Sequence, residues 1–319
     1  MQPKKTSGQD PFVFTYCEDL RSLPQKALDF EKGLHGGFAI DKRPDYGHIY
    51  YGMAGCGLLC VSPDLTTQKI IELPLKLESV NFHSTKIGDF DGKRRLFLSA
   101  NNDEMVAIVT LEGEIDFILP KPEFDEYGKA ENAYKPTDTV LEGGRLFVTD
   151  GYGANYITNI DLSTRRWSGI FGGKTQNPEE HGKFGTAHGM NRTPLGSHLA
   201  IADRPHSRFE IYTFEGSFTA SYALPPGSRP CGIDYFKRGD RWYAVVGSLD
   251  APEKGRPAPI YILDGTTYQV VSTIRPKEEL GIERADHIHN AVWYEYDGQA
   301  FLICQSWNPG YYYVLELTS

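Results

Sequence analysis

Four histidines fall at one point of a recurring pattern. His35, His83, His188 and His289 each open a group of short apolar runs separated by tight turns. Two further groups open in the same way at Thr137 and Cys231. Successive positions of the six lie roughly 50 residues apart, the spacing of a structural repeat. Only nine histidines occur in the whole chain, so four at equivalent points are not a random scatter. Residues of this kind, distant in sequence and equivalent in a repeat, converge when the repeats are arranged around an axis. Three imidazoles around an open position make a catalytic metal centre. The other reading is a channel lined by histidines that bind one another and water. The candidate metal ligands are therefore His83, His188, His289 and His35.

The groups that carry these residues read as strands. Phe184 to Gly216 shows the layout most clearly. It holds a run around His188, a Gly/Pro turn, the run LAIAD, a turn with Arg204 and Arg208, and the run FEIYTF. Short alternating runs bounded by Gly, Pro, Asn and Asp are strand and turn signals. Repeats of about 50 residues with four such strands are propeller blades. The expected fold is all-β, a six-bladed β-propeller of four-stranded blades. The sixth group ends too early to supply its own outermost strand. The segment PFVFTY, Pro11–Tyr16, is expected to supply it, so that pairing of the N- and C-terminal strands closes the ring and no sheet edge is left bare. Residues 1–319 then form one domain, with 1–10 as a flexible tail.

Several polar residues lie at strand ends beside the histidine register. Tyr152 follows in VTDGYG and Arg204 in IADRPHSR. An arginine can hold a substrate carboxylate in a bidentate grip. A tyrosine beside a metal and an arginine can lose its proton more easily and serve as a base. Tyr152 and Arg204 are therefore the candidate catalytic pair. Asp103, Asp150 and Asp203 read as turn caps that accept backbone N–H bonds. His287 shares a strand face with His289, and Asp286 is positioned to orient a ring nitrogen. His198 reads as outer packing, and His48, His181 and His206 read as loop residues. Trp307 and Asn308 close the second run of the last group.

Composition narrows the partners. The chain has 33 Gly, 20 Pro and 19 Tyr, which favours many turns and strands over a helical bundle. Its formal charge is −9, and the one short basic run is KRRL at Lys93 to Leu96. Nucleic acid is not an expected partner. No apolar run approaches the length of a transmembrane helix, so no membrane span is expected. The five cysteines are odd in number and scattered, unlike a disulfide framework, and the first residues lack the apolar core of a signal peptide. A cytoplasmic location is the expectation, with a small molecule as the partner.

The runs LFVTDGYGANYI, FGTAHGM and LAIADRPHSRFEIYTFEG resemble the NHL-repeat propellers. Within them the chain is most similar to the peptidyl-α-hydroxyglycine α-amidating lyase domain. The specific likeness covers about residues 136 to 216, and the general pattern covers about 35 to 316. The resemblance implies a six-bladed propeller with zinc held by His83, His188 and His289. It implies Tyr152 as base, Arg204 as an active-site arginine, and cleavage of an α-hydroxyglycine into an amide and glyoxylate. It also implies a structural calcium, but Asn290 stands where that family has an aspartate. The family is secreted and disulfide-bonded, which differs from the cytoplasmic location and unpaired cysteines expected for this chain. His35 adds a potential fourth ligand that the zinc pattern does not need, and four histidines would also suit Fe(II) and oxygen chemistry. The expected function is a metal-dependent lyase acting on a small carboxylate-bearing or α-hydroxyglycine-like substrate. The alternatives are a metal-dependent hydrolase or lactonase, a four-His iron oxygenase, and a binding propeller without enzymatic activity.

Overall fold

The computed structural model describes residues 4–196 and 198–318. It shows six antiparallel sheets in a ring, each ordered from an innermost strand at the central channel to an outermost strand at the rim. The innermost strands are Ala39–Ile40, Ser84–Phe90, Asp138–Glu142, Ala187–Arg192, Asp234–Arg238 and Ile288–Tyr296. They define blades one to six. The helical segments are short, the longest being Gln25–Phe30 ahead of blade one. Among the described residues no helix is long and apolar enough to cross a membrane.

Period-two alternation explains why the blades stack. In Gln299–Ser306 of blade six, Leu302 and Cys304 face the core shared with blade five. Phe301 and Ile303 face the core shared with blade one. Successive side chains of a strand point to opposite faces, so each sheet buries both faces between its neighbours. That arrangement accounts for fully apolar runs such as LFL and VAIV, which a half-exposed sheet would not carry.

The ring closes through the chain ends. Phe12–Tyr16 pairs with Tyr311–Leu317, with Phe14 opposite Leu317 and Tyr16 opposite Leu315. Phe12 and Phe14 are fully buried between blades five and six, where Phe12 meets Tyr243 edge-on at 4.7 Å between ring centroids. Burying each phenylalanine is worth roughly 1.5–3 kcal/mol. The expected tail differs from what is found. Residues 1–3 lie outside the described residues, but Thr6–Gln9 forms a fifth strand on blade six, paired with Phe12–Tyr16. Its sequence, TSGQ, has no apolar alternation to signal a strand. Backbone bonds across a hairpin and the contact of Ser7 with Glu279 hold it instead.

Candidate metal centre and active site

The six register positions meet at the upper end of the channel, where the innermost strands begin. Local irregularities aim the side chains. The pairing of the innermost and second strands slips at His289, between Ile288 and Asn290. It slips again across His188 and Gly189, between Ala187 and Met190. Such bulges turn a side chain away from the regular pleat. Gly189 is needed for this path, because a Cβ there would lie 2.2 Å from the carbonyl oxygen of Cys231.

That close approach has a purpose in the geometry. His188 Nδ1 donates to the carbonyl oxygen of Cys231, the equivalent residue of the next blade. His83 Nδ1 likewise donates to the carbonyl oxygen of Thr137, its equivalent in the next blade, at 2.7 Å. Both rings are thereby held with the proton on Nδ1 and a lone pair on Nε2. The two register positions that are not histidine orient the two histidines before them.

His35, His83 and His289 bring one ring nitrogen each to within 4.8 Å of one another, and all three are buried. The Nε2 atoms of His35 and His83 and both nitrogens of His289 are buried without any hydrogen-bond partner. Buried polar atoms are rarely left so. Burial pushes all four ring pKa values down, that of His35 to about 3, with Arg204 or a neighbouring ring adding to the effect. Neutral rings with free lone pairs are what a metal requires of its ligands. The residues fit a metal ion, with His35, His83 and His289 as the donors. An all-imidazole set suits zinc and iron alike. Trp307 stacks on His35 at 3.9 Å between centroids and closes one side.

His188 stands next to the trio, 4.5 Å from the His83 ring and 5.0 Å from the His289 ring. Its Nε2 is engaged elsewhere: it meets a guanidinium nitrogen of Arg204 and, at 3.1 Å, the hydroxyl of Tyr152. Arg204 also donates to the Tyr152 hydroxyl at 2.9 Å. The structure therefore brings all six candidate residues together but in two sets. One is three imidazoles whose Nε2 atoms have no partner, and the other is a linked Tyr152–Arg204–His188 group.

Arg204 is unusual among the buried arginines. Arg208 pairs with Asp203 and Glu210, and Arg95 with Asp116. The partners of Arg204 are Tyr152, His188 and the Cys231 sulfur at 3.3 Å, with no carboxylate among them. Its Nε is buried and unpartnered. It is only 4% exposed, whereas Tyr152 is 38% exposed and reaches solvent.

The strand-end aspartates hold the turns that carry this pair. Asp150 accepts from the backbone of Lys135 and Ala154 and from the Tyr127 hydroxyl. Asp203 accepts from the backbone of Gly185 and takes the side chains of His206 and Arg208. Asp286 does not orient any imidazole; it pairs with Lys277, because His287 turns away to the carbonyl of Leu249. Asn290 accepts from the backbone of Phe38 at 3.4 Å. No motif singled out Lys86 and Asp138, which pair at 3.2 Å inside the channel below the histidines. A cavity of about 210 Å³ runs down from His83, His188 and His289 past this pair, and neither Tyr152 nor Arg204 lines it.

No family model matches the sequence, and a search of curated proteins finds no match. Solved structures do share the architecture. A gluconolactonase from Xanthomonas campestris aligns with a TM-score of 0.63 at 11% identity, over 99% of this chain and 96% of that one. A streptogramin B lyase aligns with a TM-score of 0.56 at 13% identity, over 93% and 96%. At such identities the likeness is one of fold.

Proposed function

We propose that the chain is a metal-dependent lyase acting on a small carboxylate-bearing substrate, of the α-hydroxyglycine kind, at the upper end of the channel. One observation carries this reading: three neutral imidazoles, each with an unpartnered Nε2, converge beside a buried arginine that has no carboxylate of its own. A buried cation without a counter-ion is costly. A metal on the imidazoles would add further positive charge. A substrate carboxylate is the group that relieves both.

The metal, when bound, polarises the substrate oxygen that it contacts. The protein's own residues do the rest. Arg204 holds the carboxylate and keeps the Tyr152 oxygen in place. Tyr152, acting as the phenolate that Arg204 and a bound metal would favour, takes the proton of the substrate hydroxyl, the new C=O bond forms as the C–N bond breaks, and the departing nitrogen takes that proton from the Tyr152 hydroxyl. His188, with its Nδ1 proton fixed on Cys231, accepts at Nε2 and keeps the Tyr152 hydroxyl oriented. Zinc is the proposed metal, with iron as the alternative for the same donor set.

A second reading, a lactonase, is favoured by the cavity that reaches the histidines from below, since hydrolysis needs water at the metal. The test is direct. The zinc-loaded protein is assayed with an α-hydroxyglycine amide and with a sugar lactone, in isotopically labelled water. Glyoxylate release with no label in the amide product supports the lyase; label in a ring-opened acid supports the lactonase. Tyr152→Phe is expected to lower kcat about 100-fold with unchanged metal content. Equal turnover by the variant would remove Tyr152 as the base.

A further inference from the structure

The two ends of the channel differ in charge, and the difference suits two different ligands. Above the histidines stands Arg204, buried and without a carboxylate. A cation approaching from that side meets an uncompensated positive charge in a poorly screened setting, where Coulomb terms are large. The cavity below is built otherwise. Its two ammonium groups are both tied to carboxylates: Lys86 to Asp138 at 3.2 Å and Lys42 to Asp234 at 3.6 Å. Lys86 also donates to the carbonyl oxygen of Met190, so its position is fixed. Thr85, fully buried in the cavity wall, has a hydroxyl with no partner. The wall is thus charge-balanced and offers oxygen atoms, which can replace water around a hard ion step by step. At its upper end the cavity touches His83 and His289, two of the three metal donors.

We propose that the divalent cation reaches and leaves the histidine cluster through this lower channel, while the anionic substrate arrives from the Arg204 side. The propeller sorts its two ligands by charge to opposite faces. This rests on the reading of the histidines as a metal site. It adds the route, and it assigns Lys42 and Asp234 to the cation's port. Lys42 is the group that governs that port, since its side chain is 60% exposed at the channel's lower end.

The full-length chain, stripped with a chelator, is mixed rapidly with Zn²⁺, and free zinc is followed with an indicator dye. Lys42→Glu reverses the charge at the lower port. Arg229→Glu reverses one on the upper face, where Arg229 is 41% exposed and pairs with Asp250. Electrostatic steering predicts that Lys42→Glu raises the association rate constant roughly 3- to 10-fold at low salt, and that the gain shrinks as salt is added. Arg229→Glu is expected to change it less than about twofold. Acceleration by Arg229→Glu alone, or equal acceleration by both, overturns the lower route while leaving the metal site standing. Failure of the wild-type chain to take up stoichiometric zinc overturns the metal reading and the route with it. Asp234→Asn gives an independent reading with the opposite sign: uptake should slow, and an unchanged rate also counts against the route.

Discussion

His83 and His188 are fixed by hydrogen bonds to the backbone, whereas His35 and His289 have none among the described residues. The first two give their Nδ1 protons to carbonyls of the following blade. The second two lack such a bond among the described residues; His35 is held by the Trp307 ring and the neighbouring imidazoles, and His289 has both nitrogens free. Fixing a ring does not by itself make it a ligand, because His188 is fixed and yet spends its lone pair on Arg204 and Tyr152. What separates the three candidate donors from His188 is the company at Nε2. The ring's tautomer is set from the next blade, and its availability is set from the strand ends above.

The sharpest way to break this comparison is to remove one ring of each kind. His289→Ala and His83→Ala should each lower zinc affinity by about 100-fold or more, as loss of one of three donors to a metal does. His188→Ala should keep near-stoichiometric zinc. Metal analysis after dialysis against a weak chelator decides. Loss of zinc from His188→Ala, with zinc retained by a His35→Ala variant, would restore the ligand set that the family resemblance implies and make the Arg204 contact a feature of the metal-free site.

Arg204 is the next point of leverage, because it holds His188 out of the trio. Its charge has no carboxylate, so replacing it by an apolar side chain of similar length should relieve a buried cation. Arg204→Met is expected to raise unfolding stability, on the order of 2 kcal/mol, while abolishing turnover of a carboxylate substrate. Denaturant midpoints with an unchanged slope measure the first. A drop in stability would mean that the bonds to Tyr152, His188 and Cys231 outweigh the cost of the charge, and would weaken the case for an anionic ligand. Arg204→Lys keeps the charge without the fork and should not show the gain.

Much of this was legible in the sequence, for identifiable reasons. A blade-length repeat forces equivalent residues to one radius of the ring, so His35, His83, His188 and His289 could be placed together from the repeat alone. Closure by Phe12–Tyr16 followed from the missing strand at the C-terminal end. The division of the four rings into two sets was not legible. It depends on where the Arg204 guanidinium lies, and that is fixed by a turn of blade four, two blades on from His83. The roles of Thr137 and Cys231 were hidden for a different reason: both act through backbone carbonyls, which carry no side-chain signature. Trp307 was visible as a strand-end aromatic, but its stacking on His35 needed the last blade to be placed beside the first. Thr6–Gln9 was missed because backbone pairing at a sheet edge does not require apolar alternation.

The contrast between a satisfied and an unsatisfied group recurs in the turns that carry the catalytic candidates. Asp203 and Asp150 lie at the ends of the second strands of adjacent blades. Asp203 is paired with the cation of Arg208 and with His206. Asp150 has only backbone N–H groups and the Tyr127 hydroxyl, and burial raises its pKa to about 7 against the opposing pull of those donors. Unfolded aspartate titrates near 3.9. Between roughly pH 4 and pH 7 the folded chain therefore holds a proton here that the unfolded chain has lost, so this residue's contribution to stability declines as pH rises through that window and is constant above it. The decline should be on the order of 1 kcal/mol between pH 6 and pH 7, where each unit of pH is worth at most about 1.4 kcal/mol. Asp150→Asn removes the titrating proton, so its stability should fall less than that of the wild type over the same interval, whatever its absolute level. Parallel pH profiles for the two proteins would show that Asp150 stays ionised throughout. The donors around it would then suffice without a cation, and the turn that presents Tyr152 would be as firmly set as the turn that presents Arg204.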